Sequence, residues 1–97
     1  MAKGGYVYIL ASRKNGVLYT GVTADLITRT YQHQNCYTLG FTSKYNVHLL
    51  VYFEYHSEIP FAIKREKQIK GWKRAWKIEA IERENPEWID LYDSLIH

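Results

Sequence analysis

Tyrosine, arginine and histidine side chains occur in this sequence at spacings that favour one shared site. Tyr8 and Tyr19 lie on two successive segments with the pattern of paired strands, and Arg29 and His33 are four residues apart on one face of a predicted helix. Arg29 and His33 can both donate hydrogen bonds to a phosphate, and His33 can transfer protons near neutral pH. A phenol accepts a proton only if cations lower its pKa of about 10, and Arg29 can supply one. The alternative for Arg29 and His33 is a pair of exposed polar residues.

One glutamate interrupts the apolar stripe of a helix predicted over residues 59–70. Ala62, Ile63 and Ile69 lie three or four residues from Glu66, which places its carboxylate within the stripe. A carboxylate there must be paired, bind a metal ion or face a cleft, because an unpaired buried charge is strongly destabilising. The alternative is an ion pair with a neighbouring lysine, or a position at the edge of the stripe.

Basic charge is concentrated in the middle of the chain. Residues 1–78 hold twelve Lys and Arg against four acids, a net charge of +8, whereas residues 79–97 carry a net charge of −5. Residues 64–77 alone hold seven cations and one acid. Such a stretch attracts polyanions, although a solvated helix face would have the same composition. The predicted phosphate contacts are Lys64, Lys67, Lys70, Lys73 and Arg74.

Two other groupings predict structure more than chemistry. His33 and Cys36 have the spacing of half a zinc site, but no second pair follows at finger spacing, so zinc is not predicted. Trp72 and Trp76 share a helix face and are interpreted as core anchors, with a base-stacking platform as the alternative. A single cysteine precludes an internal disulfide and suits a reducing cytoplasm.

The hydrophobic periodicity predicts an α+β domain with a three-stranded, mainly antiparallel sheet flanked by helices, in the order β-β-α-β-α-α. An Asn-Gly turn joins the first two strands into a hairpin, Thr23 or Asp25 caps the first helix, and residues 35–45 form a polar loop. Asn85-Pro86 ends the third helix before a short terminal one. The strands are expected at 6–11, 17–22 and 47–56, and the helices at about 25–34, 59–70, 72–84 and 87–95.

Length and composition narrow the class of protein further. The 97 residues, 46% of them hydrophobic and 15% aromatic, predict one folded domain over residues 1–97. No apolar run approaches the roughly 20 residues that cross a bilayer, and no signal-peptide core follows Met1. We therefore expect a cytoplasmic protein with no membrane partner and no organic cofactor.

Together these segments resemble the GIY-YIG endonuclease superfamily, in particular its small stand-alone bacterial branch. The resemblance spans about residues 5–92, and it rests on five segments in the order and spacing of that family. The segments are Val7-Tyr8-Ile9, Tyr19-Thr20-Gly21, Asp25-Leu26 with Arg29 and His33, Ala62 to Arg74 around Glu66, and Asn85-Pro86-Glu87-Trp88 with Asp90-Leu91.

The resemblance implies hydrolysis of DNA phosphodiester bonds, with a role in repair or recombination and little intrinsic sequence specificity. Glu66 would hold one Mg²⁺ or Mn²⁺ ion, and Arg29 would stabilise charge on the phosphate in the transition state. Either Tyr8 or Tyr19 would accept a proton from the attacking water. His33 would orient a tyrosine or that water, or share the role of base.

Two departures from the family pattern support an alternative function. Many members carry a lysine three residues after the second motif tyrosine, where this chain has Val22, and an asparagine that several relatives place beyond the glutamate has no clear counterpart. The alternative is a nucleic-acid-binding module with weak or no catalysis, and a third possibility is a purely structural or protein-partner domain. The set Tyr8, Tyr19, Arg29, His33 and Glu66 favours the enzyme.

Overall fold

A computed structural model describes residues 4–35 and 45–96 of the chain. It confirms the predicted α+β class and the predicted order β-β-α-β-α-α, which the short terminal helix follows. The predicted loop at 35–45, with Cys36 and Gly40, lies outside the described residues except for its two ends. The strands are β1 (Gly5–Ala11), β2 (Leu18–Thr23) and β3 (Leu49–His56), and the helices are α1 (Leu26–Gln34), α2 (Ile59–Lys70), α3 (Arg74–Glu84) and α4 (Tyr92–Ile96).

The three strands form an antiparallel sheet in the order β2-β1-β3, so β1 is central and β2 is an edge strand. Tyr8 on β1 is paired with Gly21 on β2 and with Phe53 on β3. The register between β1 and β3 shifts once, between Ile9 and Leu10. The predicted hairpin is therefore confirmed, and it places both motif tyrosines on neighbouring strands.

Helices cover both faces of the sheet because β1 is apolar at nearly every position. On one face Val7 and Ile9 pack with Ile69 of α2 and Ile81 of α3. On the other face Tyr8 and Leu10 pack with Leu26 of α1, and Leu91 and Leu95 next to or within α4 cover the same cluster. A central strand that is buried on both faces has an almost continuous apolar sequence, as β1 does.

The first helix begins as the capping chemistry predicts. Asp25 is the N-cap, and its Oδ1 accepts a hydrogen bond of 3.1 Å from the backbone N–H of Thr28. Asp25 Oδ2 also accepts a bond of 2.8 Å from the Thr28 hydroxyl. Asp25 rather than Thr23 is therefore the cap, and α1 carries Arg29 and His33 across the β1–β2 hairpin.

The predicted terminal helix begins five residues later than expected, because the segment before it is held by side-chain hydrogen bonds. Asn85 donates to Val51 O (3.1 Å) and to Ile89 O (2.9 Å), and Trp88 adopts a left-handed φ of 56°. Asp90 Oδ1 accepts from the N–H groups of Leu50 and Tyr92, at 3.2 and 3.1 Å. The Asn-Pro-Glu-Trp motif therefore anchors the C-terminal segment to β3, which is a structural role.

A network of polar side chains lies on β3, the edge strand opposite β2. Glu54 accepts hydrogen bonds from the Tyr52 hydroxyl (2.6 Å) and from Arg65 Nε (3.1 and 3.2 Å), and its Oε2 lies 2.6 Å from His56 Nε2. Burial by itself raises the pKa of Glu54, but the hydrogen bonds from Tyr52 and His56 and the charge of Arg65 outweigh it, so the pKa lies below its ordinary value. Burial and the Glu54 contact raise the pKa of Tyr52 to about 12.

Replacing Glu54 with glutamine is expected to lower the free energy of unfolding by about 1–3 kcal/mol at pH 7, because charge-assisted bonds in a half-buried network are lost. The lowered pKa sets the sign of the pH dependence. The contribution is complete above the unfolded-state pKa of about 4.3 and is lost as the pH falls through the lower folded-state value. Urea unfolding of wild type and E54Q at pH 7 and at pH 3 measures both effects.

The matched control is Glu79→Gln, because Glu79 is 71% exposed and forms only a surface pair with Arg83. That change should alter the free energy of unfolding by less than about 0.5 kcal/mol. An equal, small effect of both substitutions would show that the Glu54 network does not stabilise the fold.

Within the described ranges, none of the helices is long and apolar enough to span a bilayer.

Candidate active site

Three aromatic rings meet where α1 crosses the β1–β2 hairpin. Tyr8 is 2% exposed, and its hydroxyl lies 3.1 Å from His33 Nε2. The Tyr19 ring centroid is 6.3 Å from that of Tyr8 and 5.6 Å from that of His33. The fold therefore brings together two residues of β1 and β2 and one of α1 that are up to 25 positions apart in the chain.

Gly21 makes room for the Tyr8 side chain on the edge strand. It is paired with Tyr8 across the hairpin, and a Cβ atom at Gly21 would lie 2.5 Å from the Tyr8 hydroxyl oxygen. The Tyr8 ring thus crosses β2 at the one position where β2 has no side chain. A glycine inside an otherwise β-forming strand is the sequence signal that could have predicted such a close approach.

Gly21→Ala is expected to displace the Tyr8 phenol from His33, because contacts this short do not occur between real Cβ and oxygen atoms. Overpacking of this kind costs about 1–3 kcal/mol of stability. Thermal unfolding and the ring chemical shifts of Tyr8 and His33 would report the change. The control is Gly71→Ala, where the added Cβ would meet its nearest atom, Gln68 O, at 3.5 Å and φ is −81°. Equal behaviour of both variants would contradict the steric role of Gly21.

The protonation states of Tyr8 and His33 follow from burial. Burial raises the pKa of Tyr8 well above its ordinary value, and Tyr19 and Glu66 add to the rise, whereas Arg29 lowers it. Burial lowers the pKa of His33, and Arg29 lowers it further. Arg29 therefore acts on Tyr8 in the expected direction, but the expectation that it makes Tyr8 a ready proton acceptor is not met, since burial outweighs it. At neutral pH the phenol keeps its proton and the imidazole is neutral.

Arg29 and Glu66 lie on helices that cover opposite faces of the sheet, and both influence the Tyr8 hydroxyl electrostatically. Arg29 is an exposed residue of α1, and Glu66 is an 8% exposed residue of α2, yet the charges of both act on the Tyr8 hydroxyl. Tyr8 lies on the central strand β1, and its ring fills the space that Gly21 leaves on the edge strand β2. The buried phenol–imidazole pair is thus under the electrostatic influence of one cation and one carboxylate.

The Glu66 carboxylate has one ion-pair partner in the described part of the chain. Its Oε1 lies 3.1 Å from Lys70 Nζ, and the Lys70 side chain is 54% exposed. The structure thus contains the lysine pair that the sequence offered as an alternative to a metal ligand. Across residues 4–35 and 45–96, no three His, Cys, Asp or Glu residues lie close enough to hold a metal ion together.

The predicted phosphate contacts differ in their surroundings. Lys64 and Lys67 are exposed on α2, whereas Lys70 contacts Glu66. Lys73 Nζ lies 5.7 Å from the centroid of the Trp76 ring. Arg74 Nη2 donates to Asn15 O (2.9 Å) and Gly16 O (2.5 Å), a contact between α3 and the hairpin turn that sequence spacing did not indicate.

The two tryptophans have different environments. Trp72 packs against the core, and the guanidinium of Arg65 lies 5.0 Å from its ring centroid. Trp76 is 52% exposed. The interpretation as a core anchor is right for Trp72 and wrong for Trp76, although both side chains line one cavity. Helix α3 begins at Arg74, so Trp72 lies before it.

Comparison with known proteins gives the family. The GIY-YIG catalytic domain matches residues 4–79, which include both motif tyrosines, Arg29, His33 and Glu66. The chain belongs to the GIY-YIG family. This is a family of nuclease domains. The residues after the match, from 80 onward, include the C-terminal segment that Asn85 and Asp90 attach to β3.

Relatives of this GIY-YIG domain are small proteins of similar length. A UPF0213 protein of Syntrophus aciditrophicus is 36% identical over 83 residues, covering 84% of this chain and 93% of the relative. A UPF0213 protein of Staphylococcus saprophyticus is 36% identical over 76 residues, covering 78% and 92%. The solution NMR structure of a UPF0213 protein from Bacillus halodurans has 27% identity and a TM-score of 0.52, covering 84% of this chain and 86% of the other.

Proposed function

We propose that this GIY-YIG domain is a cytoplasmic, metal-dependent endonuclease that hydrolyses DNA phosphodiester bonds, in repair or recombination. The observation that carries the proposal is the buried Tyr8 hydroxyl. It is held 3.1 Å from a neutral imidazole, and it lies within the fields of the Arg29 cation and the Glu66 carboxylate. A binding module has no need for a phenol–imidazole pair of this kind between charges of opposite sign.

Tyr8 and His33 act as a proton relay in this proposal. A protonated phenol donates its hydrogen bond to the Nε2 lone pair of a neutral imidazole whose proton is on Nδ1. When a water attacks the phosphorus, the bond from phosphorus to the 3′ oxygen breaks. One water proton moves to the Tyr8 oxygen as the phenol proton moves to His33 Nε2, and the departing 3′ oxygen takes its proton from solvent. Tyr8 thereby accepts a proton without becoming a free phenolate, which its raised pKa disfavours. Tyr19 packs against both rings and holds them in place.

Arg29 binds the phosphate that is attacked. Its guanidinium is exposed, permanently charged and able to donate two parallel hydrogen bonds to phosphate oxygens. Stabilisation of the charge that develops in the transition state by one such preorganised donor is worth about 3–4 kcal/mol in other enzymes.

Glu66 would hold the divalent ion, Mg²⁺ or Mn²⁺. The donor set fits such an ion, because Mg²⁺ is commonly held by one or two carboxylates and keeps several waters, and Glu66 is a nearly buried carboxylate with a single lysine partner. When bound, the ion supplies Lewis-acid stabilisation of the phosphate and the leaving oxygen. When no ion is bound, Lys70 pairs with the Glu66 carboxylate. Because the Lys70 side chain is exposed, its ammonium group can turn to a phosphate when the ion replaces it.

The remaining cations position the substrate in this proposal. Lys64, Lys67, Lys73 and Arg74 are exposed, and contacts from such side chains to phosphates carry no sequence information. We therefore expect little intrinsic sequence specificity.

Nicking of supercoiled plasmid tests the proposal. Purified protein with Mg²⁺ or Mn²⁺ should convert the supercoiled form to the open circle, and EDTA should prevent this. One site per chain cuts one strand, so linear product should appear only after open circle. Absence of cleavage together with salt-sensitive DNA binding would overturn the enzyme and favour the nucleic-acid-binding module.

A further inference from the structure

We propose that the β1–β2 turn and the amino end of α3 form a second phosphate-binding cleft, which holds the DNA backbone beside the active site. The inference rests on the proposed function and adds to it a part of the substrate path. The cleft has a volume of about 670 Å³. Its lining includes Ser12, Arg13, Asn15, Gly16, Tyr45 and Arg74.

The turn that forms one wall is held by its own hydrogen bonds. Ser12 N donates to Val17 O (3.0 Å), Val17 N donates to Ser12 Oγ (2.9 Å), and Gly16 N donates to Arg13 O (2.9 Å). Asn15 adopts a left-handed φ of 60°, a conformation that asparagine tolerates well. These hydrogen bonds within the turn fix its backbone conformation, and neither the Arg13 side chain nor the Arg74 side chain takes part in them.

Arg74 joins the two walls and keeps donors to spare. Its Nη2 donates to the carbonyl oxygens of Asn15 and Gly16. A guanidinium carries five N–H donors in a fixed fork, so the hydrogens on Nη1 and Nε remain, and they have no protein partner within the described residues. An arginine anchored on one side with donors left over is preorganised for a phosphate.

The charged side chains described in the cleft are both cations. Arg13 and Arg74 are both exposed, and among the described residues that line the cleft none is acidic. In the described part of the structure the Arg13 side chain makes no ion pair or hydrogen bond, so a role in stabilising the turn does not explain the presence of an arginine there. The uncapped amino end of α3, which starts at Arg74, adds the positive end of a helix dipole. An anion is the ligand that these groups fit.

The cleft lies on the path of a strand bound at the active site. Gly16 precedes Tyr19 by three residues of extended chain, about 10 Å. On the helical side, Lys70, which contacts Glu66, precedes Arg74 by four residues. DNA carries one phosphate per 3.4 Å of each strand along the axis, so a strand at Tyr8 and Glu66 extends over the cleft within a few nucleotides. The described residues that line the cleft are all exposed or half-buried, so they supply no buried group to read a base, and we assign the backbone as the ligand.

The experiment compares two charge reversals of equal size. Arg13→Glu removes a cation from the cleft without touching the turn's hydrogen bonds. Arg83→Glu makes the same change on α3, nine residues or about 13 Å beyond Arg74, at a residue that forms only a surface pair with Glu79. Binding of a fluorescent 20-base-pair duplex is measured by anisotropy in EDTA, at several salt concentrations.

We expect R13E to weaken binding about tenfold more than R83E at low salt, because a charge-assisted contact is lost. The slope of log K against log salt should fall by about one for R13E only. Equal losses and equal slopes in the two variants would overturn the cleft. Plasmid nicking by the wild type is measured in parallel, so that failure of the cleft can be told apart from failure of the proposed function. If the wild type nicks plasmid but R13E and R83E bind DNA equally, only the cleft is disproved. If the wild type neither nicks nor binds DNA, both proposals are disproved.

NMR gives a second readout that does not depend on affinity. Titration of the ¹⁵N-labelled protein with the duplex in EDTA should shift the backbone amides of Arg13 and Gly16. Unshifted amides at saturation would overturn the proposal. Inorganic phosphate at the same phosphate concentration should leave these amides unshifted, and equal shifts with inorganic phosphate would show a site for free anions instead of a backbone.

Discussion

Replacement of Glu66 by glutamine is expected to reduce metal-dependent nicking by about a thousandfold or more, while DNA binding in EDTA and the fold persist. The amide keeps the shape of the side chain but cannot supply the negative charge that a divalent ion requires. Loss of the several kcal/mol that a bound ion contributes to the transition state corresponds to three or more powers of ten in rate. Single-turnover nicking of plasmid measures the effect.

Glu54→Gln is the matched control for this variant. It makes the same chemical change in another partly buried carboxylate, on the opposite edge of the sheet. The hydrogen-bond partners of that carboxylate include Tyr52 and Arg65, and no lysine is among them in the described structure. E54Q should nick plasmid at the wild-type rate at 25 °C. Added Mn²⁺ should raise the melting temperature of wild type and E54Q but not that of E66Q, because a ligand that binds only the folded state stabilises it. Wild-type nicking by E66Q would remove Glu66 as the metal ligand.

Tyr8→Phe is expected to lower the nicking rate by about 10²–10⁴-fold, the range for loss of a positioned acid–base group. The ring still fills its buried place beside Gly21, so the fold should persist, with about 1–3 kcal/mol lost because the buried His33 nitrogen loses its partner. Nicking kinetics and urea unfolding of the same preparation separate the two effects.

Tyr19→Phe is the control, because it removes the other motif hydroxyl in the same ring cluster. It should affect the rate less than Y8F, and the reverse order would make Tyr19 the proton acceptor.

The proton relay also predicts how the nicking rate depends on pH. His33 must be neutral to accept the phenol proton, and its pKa is lowered by burial and by Arg29, so the rate should hold below pH 6.5 and fall only as the pH passes through that lowered value. A rate that falls from pH 7.5 downward would contradict the relay.

The local elements of the fold follow from sequence alone, since their signals are local. Alternation over Tyr6–Ala11 and the Asn15-Gly16 turn predict the hairpin, and the structure confirms it. Asp25 was one of two candidate caps, and it is the cap. The family too could be identified from its motifs, because the tyrosines, Arg29 and Glu66 keep their order and spacing along the chain.

The tertiary structure decided what those residues contact and which of them are charged. Burial, and not the nearby Arg29, determines that Tyr8 keeps its proton, and burial of a side chain depends on every element that packs over it. Likewise Trp76 is exposed and Arg74 binds the hairpin turn, because α3 begins two residues later than its apolar pattern indicated and meets a turn 58 residues away. Spacing along the chain places residues on faces, but only packing of those faces determines electrostatics and long-range contacts.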